Sequence, residues 1–203
     1  CFTYLYTAKL NKHFMEGTFT KGLSLVPEIE ERLLEYEVYL DRHRTLVFYY
    51  KIASLYFGSG DAEKSIDYLN KIINLKVDLR TDLQCYARLL HMIAHYEMGN
   101  FDLLKYLLKS VYRFMAKMQN LSAAEEAVFS FLKQSFHSSP NKVKPLFQNL
   151  LSELKGMAND RMETRAFMYL DFISWLESKI QRKPVQSIIR QKFIAATKRT
   201  SDA

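Results

Sequence analysis

One pattern occurs twice in this chain, and it limits the possible folds more than any other feature. Tyr49, Ile52, Ala53 and Tyr56 climb one helical face to Gly60-Asp61, after which Ser65, Leu69 and Ile72 mark a second helix. The pattern returns as His91, Met92, Ala94 and Tyr96 leading to Gly99-Asn100-Phe101, followed by Leu104, Leu108 and Val111. A single helix, glycine turn and helix cannot bury its own apolar faces, so copies of it stack into a helical solenoid. Such arrays present long surfaces to other molecules, which points to binding as the class of activity and leaves the partner open.

Composition agrees with an all-α fold. With four prolines and six glycines, the 203 residues are dominated by Leu, Lys, Glu, Ala, Met and aromatics, and 48% hydrophobic content is ample for a continuous core. No stretch approaches the roughly 18 unbroken apolar residues of a membrane span, and the start lacks the layout of a signal peptide, so no membrane partner is expected. Cys1 and Cys85 allow at most one disulfide, which a core of this size does not need; a reducing, cytoplasmic setting is the expectation. A lipoprotein also begins with Cys, but Phe2-Thr3-Tyr4-Leu5-Tyr6 has helical aromatic spacing in place of a polar linker. The chain is therefore expected to be a fragment of a longer protein.

The pattern of caps and breakers sets the expected elements. A helix spans Phe2 to Met15 and breaks at Gly17; Phe19, Leu23 and Val26 follow, and Pro27 interrupts before a helix from Glu28 to Leu40, as one kinked helix or two abutting ones. Glu28, Glu30, Glu31, Glu35 and Glu37 form its wet face. Arg44 to Phe57 pairs with Ala62 to Leu75 across Gly60, with Asp61 as cap, and Asp82 to Met98 pairs with Phe101 to Met118. Ser122 to Glu125 reads as a capping box, and Ser138 to Asn141 as a loop before a helix bearing Leu146, Leu150, Leu151 and Leu154. One helix is expected from Asp160 to Ile180, its stripe of Met162, Ala166, Tyr169, Ile173, Leu176 and Ile180 widened by Phe167, Leu170, Phe172 and Trp175. Pro184 opens a last helix with Val185, Ile188, Ile189, Phe193 and Ala196 on one face, capping the array, with Thr197 to Ala203 frayed.

Residues 46–61 carry a resemblance to a known family. Leu46-Val47-Phe48-Tyr49-Tyr50-Lys51-Ile52-Ala53-Ser54-Leu55-Tyr56-Phe57-Gly58-Ser59-Gly60-Asp61 resembles the first helix and turn of a tetratricopeptide repeat, with its early aromatic, small residues, tyrosine and Gly-Asp turn. The likeness is good over 46–75 and fair over 85–115, where His91 and Met92 stand for the usual Leu-Gly pair; the closing proline is missing from both. The two glycines are 39 residues apart, against a family period of about 34, so the intervening segments are longer. With its basic last helix after Trp175, the chain also resembles bacterial tetratricopeptide-containing proteins that have no activity to lend.

The resemblance implies a single domain over 1–203, a right-handed α-solenoid of antiparallel helix pairs with about nine or ten helices, closed by capping helices at 160–196. It further implies a concave groove lined by the first helices, with Tyr50, Ser54 and Phe57 from one repeat and Tyr86, Leu89, Ile93, Tyr96 and Glu97 from the next; packing against neighbouring helices is the equal alternative. Ser54 and Ile93 stand where carboxylate-clamping members carry Asn, which disfavours that ligand class.

Residue by residue, the chain offers little for catalysis. His91 and His95 are four apart on one helix, near Glu97 and Cys85, but the intervening residues are apolar and both positions are packing sites of the repeat, so structural histidines are expected and no metal. There is no glycine-rich phosphate loop and no nucleophile elbow, Cys85 has no activating motif, and Asp160, Glu163, Glu125 and Glu126 are helix starts. No enzyme activity and no cofactor are expected.

Charge supplies a second hypothesis. Residues 1–178 carry 22 basic and 21 acidic side chains, whereas 179–203 carry seven basic and one acidic, Asp202. A solvated helix end accounts for this; phosphate contact by Arg182, Lys183, Arg190 and Lys192 is the alternative, making the chain a nucleic-acid-associated regulator. A protein scaffold that takes a peptide or helix ranks first, that regulator second, and a homodimer through the last helix third.

Overall fold

In the computed structural model, positive φ angles mark the three glycines that break the helical pattern: Gly17 at 63°, Gly60 at 98° and Gly99 at 73°. Glycine reaches this left-handed region without a Cβ penalty, and so ends a helix sharply. The structure describes residues 2–75, 80–118, 121–136, 138, 140–157 and 171–201. Among them every regular element is helical.

The elements are α1 (Phe2–Glu16), α2 (Phe19–Gly22), a 3₁₀ turn (Leu23–Leu25), α3 (Val26–Glu35), α4 (Arg42–Ser59), α5 (Ala62–Ile73), α6 (Thr81–Glu97), α7 (Phe101–Lys117), α8 (Ala123–Ser135), α9 (Pro140–Met157), α10 (Phe172–Gln181) and α11 (Val185–Ser201). The chain divides into two compact units: Cys1–Leu83 with Pro184–Ala203, and Gln84–Lys183.

The first unit is built around α4 and α5, its most extensive helix pairing. Gly60 ends α4 in the left-handed conformation, and the Asp61 carboxylate accepts from the Lys64 N–H (2.9 Å), capping α5 as its sequence position requires. Ile52, Leu55, Leu69 and Ile72 are fully buried along this pair. α2 crosses α4 where Gly58 leaves room for the Phe19 ring; a Cβ at Gly58 would sit 2.3 Å from that ring. Phe2 stacks on Phe48 at 5.4 Å, holding α1 to α4. On the other side of α5, Tyr68 O–H donates to Glu30 Oε1 (2.6 Å), and Lys71 lies over the Tyr68 ring. Burial, and then the bond to Glu30, raise the Tyr68 phenol well above its ordinary value.

The last helix, α11, packs on α1 and α4 of this unit, a placement the linear-array reading did not anticipate. Contact there is backbone to backbone: Gly17 lies so close to α11 that a Cβ would stand 2.4 Å from the Arg190 N. The Gln186 side-chain oxygen accepts from the Thr20 hydroxyl (3.0 Å), and the Arg190 guanidinium donates to the Glu16 carbonyl (3.3 Å).

The second unit is held by rings. Tyr96, Phe131, Phe147 and Trp175 come from α6, α8, α9 and α10, with Phe131 and Phe147 centred 4.8 Å apart and Phe147 and Trp175 5.8 Å apart, mostly edge to face. Offset and edge-on pairs of this kind contribute beyond their buried area. Arg88 of α6 stacks 3.8 Å over Phe114 of α7. Ser122 and Glu125 form the expected capping box at the start of α8.

Several boundaries differ from the sequence reading. α3 stops at Glu35, because residues 36–39 fold into turns, with Leu40 N–H donating to Tyr36 O (2.7 Å). The expected helix from 160 to 180 is not continuous: Asp171 is a non-helical cap whose carboxylate accepts from the Ser174 N–H (2.8 Å), so α10 begins at Phe172. Met162, Ala166, Phe167, Tyr169 and Leu170 of its expected stripe lie outside the described residues, as do Asp160 and Glu163. The final helix extends through Ser201, past the expected fraying point at Thr197.

Candidate functional site

α7 carries more apolar residues than its own packing uses. Leu104, Val111 and Met115 form the buried stripe, while Phe101, Leu103, Tyr106 and Tyr112 are exposed. A helix that is apolar beyond one face needs cover on the other. Part of that excess lines a groove of about 710 Å³ between α7 and α8.

The groove has an apolar floor and a basic rim. Leu108 and Tyr112 of α7 meet Phe129 of α8 and Phe136 just after it, with Tyr112 edge-on to Phe129 at 5.5 Å. Phe136 is in turn edge-on to Phe101 at 6.2 Å. Helical spacing puts Lys105 and Lys109 on one rim and Lys133 on the other, with Glu126 as the one acid in the lining. Lys105 binds Asp102 (3.1 Å) in an exposed pair of little energetic weight. Lys109 and Lys133 have no acidic partner among the described residues. The groove therefore pairs an apolar floor with a predominantly basic rim.

The residues expected to line a concave groove are distributed otherwise. Tyr50, Phe57, Tyr86, Leu89 and Ile93 are buried, so their side chains contact the protein's own helices. Packing against neighbouring helices, the equal alternative for these positions, accounts for them. Ser54, Tyr96 and Glu97 are half-buried. Ser54 donates to the Tyr50 carbonyl (2.9 Å), Tyr96 belongs to the four-ring cluster, and Glu97 accepts from the Trp175 indole N–H (2.7 Å) while pairing with Lys179.

Of the four basic residues singled out, Arg182 and Lys183 belong to the second unit and Arg190 and Lys192 to the first. All four are exposed, and Arg182, at φ 53°, is the left-handed residue that ends α10. Neither unit collects the set.

His91 and His95 are both buried and touch edge-on, 4.5 Å between ring centres. Burial, then His95 and Arg88, lower His91 to about 4, and burial lowers His95, so both are neutral at pH 7. Asn100 Nδ2 lies 3.0 Å from His95 Nδ1, tying the α6 end to its turn. Among the described residues no group of three His, Cys, Asp or Glu is placed to hold a metal ion. None of the described helices is long and apolar enough to cross a membrane.

The α7–α8 groove is the feature that repeat reasoning missed. Its signal was present: in α7, apolar and aromatic residues occupy more than half the helix, beyond the Leu104, Leu108 and Val111 stripe that marks the repeat. Comparison with protein-family models, with curated proteins and with solved structures found no match to this chain.

Proposed function

We propose that this chain is a protein-interaction scaffold of the tetratricopeptide-like solenoid kind, which binds a segment of another polypeptide in the α7–α8 groove and does no covalent chemistry. The observation that carries the reading is that groove, with Leu108, Tyr112, Phe129 and Phe136 beneath a basic rim. The turns at Gly60-Asp61 and Gly99-Asn100 support the solenoid part of the reading, since they repeat one backbone hydrogen-bond pattern at two places. The recognition mode is helix-in-groove or extended-segment capture, in which aromatic anchors give affinity and rim charges select the partner.

Selection of displayed random peptides against the intact chain tests this. The expected result is a set of peptides rich in acidic and apolar residues whose binding weakens at least tenfold with Tyr112→Arg, a change at a side chain that is already 44% exposed. Failure to select any peptide, or selection of peptides indifferent to Tyr112→Arg, overturns the proposal.

A further inference from the structure

At the end of α3 the first unit bears a corner with the opposite character of the groove. Leu34, Val38 and Tyr39 are 75%, 90% and 87% exposed within six residues of chain, whereas large apolar side chains on a surface are ordinarily scattered. Around them stand Glu31, Glu35 and Glu37, all exposed. Between residues 28 and 41 there are six acidic side chains, with Arg32 as the one base, and Arg32 is bound to Glu35. The corner is built, not loose: Glu37 N–H donates to Leu34 O (3.3 Å) and Tyr39 N–H to Tyr36 O (2.9 Å).

We propose that this acidic, apolar corner of one copy docks in the α7–α8 groove of a second copy. The inference rests on the reading of the groove as a protein-binding site and names its occupant. The match is of two kinds. Leu34, Val38 and Tyr39 supply apolar side chains for a floor of Leu108, Tyr112, Phe129 and Phe136, and the groove's 710 Å³ accommodates a few side chains of that size. Glu31 and Glu37 then meet Lys109 and Lys133, two ammonium groups that form no ion pair among the described residues, Glu126 being the acid in the lining. Corner and groove are different patches, so the contact is heterologous and each copy both gives and receives. A patch this small makes a weak association, with positive and negative rims that lose attraction as salt rises.

Sedimentation velocity on the intact chain tests the proposal, from about 10 µM to about 500 µM and at low and high salt. Wild type is expected to shift above the 23.9 kDa of one copy as concentration rises, and less so at high salt. Lys109→Glu with Lys133→Glu reverses the groove, and Glu31→Lys with Glu37→Lys reverses the corner. Each double variant alone is expected to associate at least tenfold more weakly, while an equimolar mixture recovers association, because each variant then meets a complementary surface. Far-ultraviolet dichroism matched to wild type establishes that these exposed substitutions leave the fold intact. A wild type that stays at one copy throughout overturns the proposal, as do variants that associate normally or a mixture that fails to recover. If Tyr112-dependent peptides still bind a monomeric chain, the groove reading stands and only self-docking falls; if neither occurs, both fall.

Discussion

Alanine at Gly17 places a methyl group where the first unit has no room for one. The Cβ would stand 2.4 Å from Arg190 N, 2.6 Å from Gln186 O and 2.9 Å from Arg190 Cα, against ordinary contacts of 3.4 Å or more. These are backbone atoms of α11, so no rotamer change relieves the clash, and the helix must retreat by about 1 Å or leave. Two costs add. Holding alanine at φ 63° costs about 1–2 kcal/mol, and forcing a packed interface apart costs about 1–3 kcal/mol. Gly60 separates them, because it has φ 98° and no atom within 4 Å of its would-be Cβ, so Gly60→Ala carries the backbone term alone. Gly17→Ala is therefore expected to lower stability by about 2–5 kcal/mol, some 1–3 kcal/mol more than Gly60→Ala. Urea unfolding followed by dichroism measures both, and hydrogen exchange across 185–201 reports whether α11 undocks before the unit unfolds. Equal costs for the two substitutions, with α11 amides equally protected in both, would refute the close-approach argument.

Three further outcomes are expected. His91, lowered to about 4 when folded against about 6.5 when unfolded, binds its proton later in the native state; stability is then fully present above pH 6.5 and falls by about 3 kcal/mol as pH drops to 4. His95 acts in the same direction, and His91→Gln should flatten most of that fall in pH-dependent urea melts. Glu97→Ala strands the Trp175 indole donor and is expected to cost about 1–3 kcal/mol, whereas Glu97→Gln keeps an acceptor and costs about 1 kcal/mol or less. Trp175 is the sole tryptophan and 1% exposed, so its emission follows this unfolding directly. Gly156→Ala, in α9 with no atom within 4 Å of the added Cβ, should raise stability by about 0.5–1 kcal/mol, read as a higher Tm.

The parts of the fold legible in the sequence are those decided by local chemistry. Gly60 and Asp61 each have one conformational job, and neither depends on a distant residue, so turn and cap were readable before any packing was known. The same holds for Ser122 and Glu125, whose reciprocal bonds close within four residues. Asp171 carried a comparable signal, an acid three residues before Ser174, but the apolar stripe running on both sides of it outweighed one capping residue. Leu34 and Val38 stand at helical spacing from Ile29 within the expected 28–40 helix, yet the chain turns at Tyr36 and leaves both in solvent.

What periodicity cannot assign is which of two apolar faces meets the protein itself. In α6 the helix is apolar enough that Leu89 and Ile93, placed on the groove side by repeat position, are entirely buried. In α7 the same excess is exposed, because Leu104, Val111 and Met115 already satisfy the neighbours it has. The two helices have similar apolar content and opposite outcomes, a difference that periodicity along one helix does not encode. The proposed docking turns on the charge at the rim of this exposed face. Lysines at 105, 109 and 133 flank apolar floor on both sides, and keeping cations beside uncovered rings is a stable arrangement only while water, or an acidic partner, completes their solvation. An acidic segment with apolar anchors satisfies floor and rim together, which is why charge reversal on either surface, and its rescue by the opposite reversal, is the decisive perturbation for this fold's surface chemistry.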